Sequence, residues 1–150
     1  MSETKLFTLD TNILIYSVDE SNTAKHELSR FLVFKLLDLH GKLPLQAVTE
    51  FFNATQKKKL ASAQAAQELV LSFLSAAETV AATAADAVRA IDLHREHNIQ
   101  FFDALLLATA ARSGCTTLLS EDFQHDRTYG AITVRNPFKL SEADLTTLLT

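Results

Sequence analysis

The sequence predicts an α/β fold built around a parallel sheet. Short apolar and β-branched segments, such as 5–9 and 116–119, alternate with segments whose apolar residues recur at helical spacing. Strands that alternate with helices are joined by right-handed crossovers, and we therefore expect a parallel sheet. The 150 residues have room for one domain, 1–150, and an apolar fraction of 47% is ample for its core.

The expected elements follow one another without internal repeats. We expect strands at 5–9, 42–46, 78–82, 116–119 and 131–134. We expect helices at about 24–39, 47–60 and 63–76, a further helix that opens with a capping box at Thr83–Asp86 and runs to about His97, and a helix at 101–111. Gly41 is placed to end the first of these helices in a left-handed conformation, and both Phe51 and Phe52 can face the core.

The composition excludes several classes of protein. The single cysteine, Cys115, cannot form an intramolecular disulfide, and no apolar run is long enough to cross a bilayer. The first residues lack the charged segment followed by an apolar segment that a signal peptide has, so we expect a soluble cytoplasmic protein. The net charge of −4 argues against a large basic groove but allows a small cleft in which a cluster of acids carries the excess charge.

Two strands are each followed by acidic and polar residues. Asp10 and Asn12 follow the first strand, and the run Ser120–Asp122 follows the strand at 116–119. The carboxyl ends of parallel strands share one edge of the sheet, where open α/β folds bind ligands. The alternative is that these side chains only cap helices or form turns, for which Asp, Asn and Ser are favoured.

Two further acids are expected at the same edge. Glu50 and Asp103 each fall in a predicted first helical turn, and helices that follow strands begin at this edge. The neighbours of Glu50 at helical spacing are small or polar, which suits an open site but also plain solvent exposure. Asp103 is the only charge in its helix before Arg112; stabilisation of the helix dipole is the alternative to a ligand role.

Four carboxylates at one place would repel and raise one another's pKa. A hard divalent cation with oxygen ligands, Mg²⁺ or Mn²⁺, resolves this repulsion and suits phosphoryl transfer. Asn12 and Ser120 are neutral hydrogen-bonding residues that could position a carboxylate or a water. No Cys/His set indicates zinc, and three glycines in all exclude a phosphate-binding P-loop.

Other features have two interpretations each. The run Lys57–Lys59 either compensates a helix dipole or contacts a phosphate backbone. His94 and His97 are three residues apart and could ligate a metal, but they lie near a helix C-terminus, where a structural role is expected. His125 is expected in a loop, with contact to a substrate as the alternative. Phe34 and Leu37 widen the apolar arc of the first long helix, for either core burial or a partner surface.

These motifs, taken in order, resemble the PIN domain, and in particular the VapC-type toxins of toxin–antitoxin modules. The resemblance covers nearly the whole chain. It rests on four short motifs: Leu9-Asp10-Thr11-Asn12, Glu50-Phe51, Phe102-Asp103-Ala104 and Ser120-Glu121-Asp122-Phe123-Gln124. A departure from many relatives is His125-Asp126, where a glycine is frequent.

The resemblance implies a three-layer α/β/α PIN-like fold with a five-stranded parallel sheet. It also implies an Mg²⁺- or Mn²⁺-dependent endoribonuclease that leaves 5′-phosphate and 3′-hydroxyl ends, forms a homodimer and is inhibited by a cognate antitoxin. The implied catalytic acids are Asp10, Glu50, Asp103 and Asp122, of which Asp10, Asp103 and Asp122 bind metal. Glu121 is a rival for the fourth position; the Ser-x-Asp pattern of the family favours Asp122.

Two other functional classes remain open from the sequence. One is a non-catalytic PIN-like module that binds RNA or a protein. The other is a phosphoacceptor domain, which would have adjacent acids after the first strand, where this chain has Asp10-Thr11-Asn12. The RNA target, and whether DNA is also cut, are not encoded in any recognisable pattern.

Overall fold

The structure is a computed structural model that describes residues 6–150. Residue 5, where we expected the first strand to begin, lies outside the described residues. The strands are β1 (Phe7–Leu9), β2 (Lys42–Pro44), β3 (Glu78–Val80), β4 (Thr117–Leu119), β5 (Thr128–Tyr129) and β6 (Ile132–Arg135). The helices are α1 (Thr11–Tyr16), α2 (Thr23–Asp38), α3 (Leu45–Lys57), α4 (Ala63–Ala76), α5 (Ala84–His97), α6 (Phe101–Arg112) and α7 (Glu142–Leu149), with a short 3₁₀ helix at Pro137–Lys139.

The strands form two hydrogen-bonded sets. The larger sheet has the order β1-β4-β6-β5, in which β1, β4 and β6 are parallel and β5 is antiparallel to β6. The smaller is the parallel pair β2-β3. Strand β2 of this pair lies beside β1, where the Thr8 hydroxyl donates to the carbonyl oxygen of Lys42 at 2.8 Å.

The α/β class with a parallel-rich sheet is therefore confirmed, but the expected single five-stranded parallel sheet is wrong in detail. All five expected strands are present, divided between the two sets, and a sixth strand, β5, was missed. This strand has only two residues and pairs through a hairpin turn in which Gly130 adopts a φ of 65°. Two residues are too few to show a period, so no pattern in the sequence could indicate it.

Several local features differ from expectation. The short helices α1 and α7 are not among the expected helices, since six and eight residues carry little periodic signal. Only the alternative in which Asp10 caps a helix anticipated α1. The left-handed residue after α2 is His40, with a φ of 50°, rather than Gly41. Phe51 is fully buried, whereas Phe52 is 36% exposed because it lies on another side of α3.

The core lies between the strands and the helices that cover them. Strands β1 and β4 are mostly buried, and helix α6 buries Ala104 and residues 106–110, although Phe102 in its first turn is exposed. Among the largest fully buried side chains are Leu9, Ile13, Leu14, Leu43, Phe51, Leu107, Leu118 and Leu119. Burial of this kind fixes the β1 and β4 ends, from which Asp10 and Ser120 emerge.

The predicted capping box at the start of α5 is confirmed. Thr83 Oγ1 accepts from the backbone N–H of Asp86 at 3.2 Å, and Asp86 Oδ2 accepts from the N–H of Thr83 at 2.9 Å. Arg112 Nε also donates to both Asp86 oxygens, at 2.8 and 2.9 Å. This ion pair ties the start of α5 to the end of α6.

None of the helices within residues 6–150 has the length and apolar character needed to span a membrane.

Candidate active site

Asp10 lies where β1 ends and α1 begins. Leu9 pairs with Leu119 in the sheet, which places Asp10 beside Ser120. Asp10 Oδ1 accepts from the N–H of Thr11 at 2.7 Å, and Oδ2 accepts from the Ser120 hydroxyl at 2.7 Å. Asp10 therefore does cap α1, as the alternative reading had it, while its second oxygen faces the adjacent strand end.

Asn12 connects the two strand ends. Its Nδ2 donates to Ser120 Oγ and to Asp122 Oδ2, each at 3.0 Å, and lies 3.4 Å from Asp10 Oδ2. Ser120 Oγ also accepts from the N–H of Asp122 at 3.1 Å. Asn12 and Ser120 thus bring Asp10 and Asp122 to the same place, although their carboxylates come from opposite ends of the chain.

Glu50 reaches this group from α3. The helix begins at Leu45, so Glu50 lies in its second turn rather than the expected first. Glu50 Oε2 accepts from the Thr11 hydroxyl at 2.9 Å, and Oε1 accepts from Gln46 Nε2 at 3.1 Å. Gln46 Nε2 also donates to the carbonyl oxygen of Phe102 at 2.9 Å, which links α3 to the first turn of α6.

The pKa of Asp10 reflects both burial and charge. The pKa of this carboxyl is raised from 3.8 to about 6, chiefly by burial and also by the negative charges of Asp122 and Asp103. The hydrogen bonds from Ser120 and Thr11 act in the opposite direction.

The pKa of Asp103, in the first turn of α6, is also raised. Burial raises its pKa, and the negative charges of Asp122 and Glu50 raise it further. The structure therefore brings together all four predicted acids, Asp10, Glu50, Asp103 and Asp122, closely enough for electrostatic coupling. The charge of Glu50 acts on Asp103, and Gln46 links Glu50 to the backbone of α6. Asp10 and Asp122 share hydrogen bonds with Asn12 and Ser120.

Glu121, the rival to Asp122, has other partners. Lys25 Nζ donates to Glu121 Oε2 at 2.8 Å, and the Tyr16 hydroxyl donates to Oε1. Burial acts to raise the pKa of Glu121, but these two hydrogen bonds outweigh it and lower the pKa below its usual range. Its charge is thus neutralised by Lys25, whereas Asp122 contacts Asn12.

Two of the four acids, Glu50 and Asp122, line an open cleft of about 540 Å³. Its lining combines residues from α1, the start of α2, α3 and its C-cap, and the loops before α2 and after β4: Thr11, Asn12, Ile15, Tyr16, Asp19, Ser21, Asn22, Lys25, Glu50, Lys58, Glu121 and Asp122. Sequence reasoning missed Thr11, Gln46, Tyr16 and Lys25 as neighbours of the site. Gln46 could have been found, because it precedes Glu50 by one helical turn.

The histidines have structural partners. His94 Nδ1 lies 2.6 Å from the carbonyl oxygen of Ile99, next to the end of α5. The His97 ring packs edge-on against Tyr129, with ring centroids 4.9 Å apart. His125 Nδ1 accepts from the N–H of Asn136 at 2.9 Å, which ties the loop after β4 to the end of β6.

The donor set fits a hard divalent cation in its chemistry. Carboxylate oxygens are the ligands that Mg²⁺ and Mn²⁺ prefer, and the buried Oδ1 of Asn12 has no hydrogen-bond partner among the described residues. Within residues 6–150 no three His, Cys, Asp or Glu side chains are close enough to form a ready metal site. Binding of a cation would require the carboxylates to move closer together, which their mutual repulsion otherwise opposes.

The sequence matches the PIN domain family over residues 7–131. This chain belongs to the PIN domain family. The matched segment contains Asp10, Glu50, Asp103 and Asp122. No curated protein matches the chain.

Solved structures share this PIN fold. A toxin–antitoxin complex from Klebsiella pneumoniae is 18% identical, with a TM-score of 0.62 over 89% of this chain and 98% of its own. FitAcB from Neisseria gonorrhoeae is 19% identical, with a TM-score of 0.63 over 90% and 100%. VapC20 from Mycobacterium tuberculosis, a toxin that cleaves the sarcin–ricin loop, is 17% identical, with a TM-score of 0.60 over 77% and 91%. At these identities the likeness concerns the fold.

Proposed function

We propose that this PIN domain is a metal-dependent endoribonuclease that hydrolyses RNA phosphodiester bonds. The observation that carries the proposal is the convergence of Asp10, Asp103 and Asp122 at one edge of the sheet, with Glu50 coupled to Asp103. Such a cluster of carboxylates beside an open cleft suits phosphodiester hydrolysis.

Asp10, Asp103 and Asp122 would bind the cation, and Mg²⁺ is the proposed cofactor, with Mn²⁺ as an alternative. When bound, such an ion supplies Lewis-acid stabilisation of the phosphate charge and favours deprotonation of an attacking water. Ser120 and Asn12 orient Asp10 and Asp122 through the hydrogen bonds described above. Glu50 and Asp122 are the exposed acids of the group, and Thr11 and Gln46 hold the Glu50 carboxylate at the rim of the cleft.

We further propose that the chain is the toxin of a toxin–antitoxin module. The support is the shared fold with the Klebsiella pneumoniae complex and with VapBC of Rickettsia felis, which was crystallised with a DNA fragment of its promoter. The partners would be an RNA substrate, a cognate antitoxin and a second copy of this chain. A small DNA-binding protein encoded next to this reading frame would support the assignment. Expression of the chain alone should then arrest growth, and co-expression of that small protein should relieve the arrest.

A cleavage assay tests the nuclease proposal. The purified protein is incubated with single-stranded and structured RNAs, and with DNA, in Mg²⁺, in Mn²⁺ or in EDTA. We expect RNA cleavage that requires a divalent ion, leaves 5′-phosphates and is lost in Asp10→Asn and Asp103→Asn. Asp92→Asn, an exposed change on α5, is the control and should cleave like the wild type. Cleavage that persists in EDTA, or in Asp10→Asn, would refute the proposal.

A second candidate is a non-catalytic PIN module that binds RNA or a protein. The observation in its favour is that no three ligating side chains within residues 6–150 form a ready metal site. This candidate predicts RNA or protein binding without cleavage of any substrate in either metal, and binding that Asp103→Asn leaves intact.

A further inference from the structure

The run Lys57–Lys59 at the end of α3 contains one lysine that differs from its neighbours in position. Of the three, only Lys58 lines the cleft that Glu50 and Asp122 also line. All three side chains are exposed, and all three are near the C-terminus of α3, so all would compensate its dipole similarly. Compensation of the dipole therefore does not explain why Lys58 alone faces the cleft.

The cleft contains a second lysine, but that lysine is already paired. Lys25 forms its ion pair with Glu121 at 2.8 Å and lies over the ring of Tyr16, 5.1 Å from its centroid. Lys58 has no carboxylate within ion-pair distance among residues 6–150. The charge of Lys58 does reach Asp19, whose pKa is lowered chiefly by the N–H and hydroxyl of Ser21 and additionally by Lys58.

The position of Lys58 relative to Glu50 follows from the helix. Lys58 is the C-cap residue of α3 and has αR backbone angles, so the helical repeat extends to it. Glu50, Ala54 and Lys58 are spaced by four residues and therefore lie along one side of the helix. Eight residues correspond to about 12 Å along the axis. A single phosphate cannot reach both Glu50 and Lys58 over this distance, whereas a nucleic-acid strand lying along the cleft can.

We propose that Lys58 binds a backbone phosphate of a nucleotide that neighbours the scissile one, and so orients single-stranded RNA along the cleft from α3 towards the acids. This inference rests on the proposed nuclease function. Lys58 is a binding residue that supplies positive charge to a cleft also lined by four acids, Asp19, Glu50, Glu121 and Asp122, and by Lys25, which is paired with Glu121. A polyanion that enters such a cleft needs positive charge that no carboxylate already neutralises. A phosphate contact carries no base specificity, so the effect should be uniform across sequences.

RNA binding tests the proposal. A fluorescein-labelled single-stranded RNA of mixed sequence is titrated with Asp103→Asn protein by anisotropy, at several salt concentrations. Added to this background, Lys58→Gln should weaken binding several-fold and reduce the slope of log K against log salt by about 0.7. Lys57→Gln and Lys59→Gln remove the same charge from the same helix end and should leave both values near those of the parent. Lys58→Arg should restore binding, and circular dichroism checks that each variant is folded.

The outcomes separate this inference from the proposed function. Equal losses in the three Gln variants, no loss in any, or no RNA binding at all would overturn the role of Lys58. A poly-glutamate peptide that competes with the same dependence on Lys58 would point to an acidic protein segment and overturn the assignment to RNA. Wild-type protein that cleaves no RNA, while binding still depends on Lys58, would refute the nuclease proposal and leave the binding site standing.

Discussion

The side-chain amide of Asn12 donates a hydrogen bond to Asp122 Oδ2 at 3.0 Å, across 110 positions of the chain. The same nitrogen donates to Ser120 Oγ. The turn after β1 and the turn after β4 are thus held together by one neutral residue between two acids. A carboxamide can do this because its NH₂ group supplies two donors without adding negative charge.

Replacement of Asn12 by Ala should lower cleavage by about 10- to 100-fold, the range typical of residues that orient metal ligands. Asn12→Asp should be at least as damaging, because a further carboxylate would repel Asp10 and Asp122. Steady-state cleavage rates at several Mg²⁺ concentrations provide the measurement, and Asn53→Ala, an exposed change on α3, is the control. Wild-type rates and Mg²⁺ dependence in Asn12→Ala would show that this bridge has no functional role.

The raised pKa of Asp10 predicts a specific dependence of stability on pH in EDTA. Between about pH 4 and pH 6 the folded protein retains a proton that the unfolded chain has released, so the Asp10 contribution to the free energy of unfolding decreases as pH rises. Above pH 6 the ionised buried carboxylate should cost about 3 kcal/mol relative to low pH. Urea unfolding from pH 4 to pH 7 measures this cost.

Asp10→Asn removes the titrating group and is the comparison for that experiment. The variant should lose this component of the pH dependence and be more stable than the wild type at pH 7 in EDTA. Identical pH profiles for the two proteins would contradict the raised pKa.

The adjacent acids Glu121 and Asp122 should differ in their effect on catalysis. Asp122→Asn removes an acid that is coupled to Asp10 and Asp103 and should reduce cleavage by 100-fold or more. Glu121→Gln breaks the ion pair with Lys25. Both side chains are partly exposed, so the ion pair contributes at most about 1 kcal/mol to stability. The effect of Glu121→Gln on cleavage should be far smaller, and a reversed order of the two effects would make Glu121 the fourth acid.

The capping box of α5 is distant from the cleft lining and should affect stability alone. Thr83→Ala removes the acceptor for the N–H of Asp86 and should cost about 1 kcal/mol. Asp86→Ala should cost more, because it leaves both the N–H of Thr83 and Nε of Arg112 without their acceptor, although Arg112 Nη2 still donates to the carbonyl oxygen of Ala81. Thermal unfolding and cleavage rates together test this prediction; a loss of cleavage in folded Thr83→Ala protein would contradict it.

The gathering of Asp10, Ser120 and Asp122 was predictable because it follows from topology. Parallel strands end at one edge, and the pairing of Leu9 with Leu119 carries the following residues to adjacent positions. The capping box was predictable for a similar reason, since its signal is contained in four consecutive residues. The catalytic and metal-binding roles of the four acids are still predictions.

What the sequence did not reveal depends on contacts between distant elements. Gln46 bridges Glu50 and the backbone of α6, and Lys25 pairs with Glu121, through side-chain conformations that only the packed structure determines. At the end of α2 the reason is local instead. A Cβ on Gly41 would lie 3.0 Å from Leu36 Cγ, so glycine is favoured there by a close approach, and His40 is the residue with the positive φ.

Acidic side chains that are far apart in the chain are proposed to bind one divalent ion together. Anomalous diffraction from crystals grown with Mn²⁺ is the decisive measurement. We predict an anomalous peak within coordination distance of carboxylate oxygens from Asp10, Asp103 and Asp122, and none in crystals of Asp103→Asn. Fully occupied Mn²⁺ elsewhere on the molecule, with these three carboxylates bare, would contradict the account.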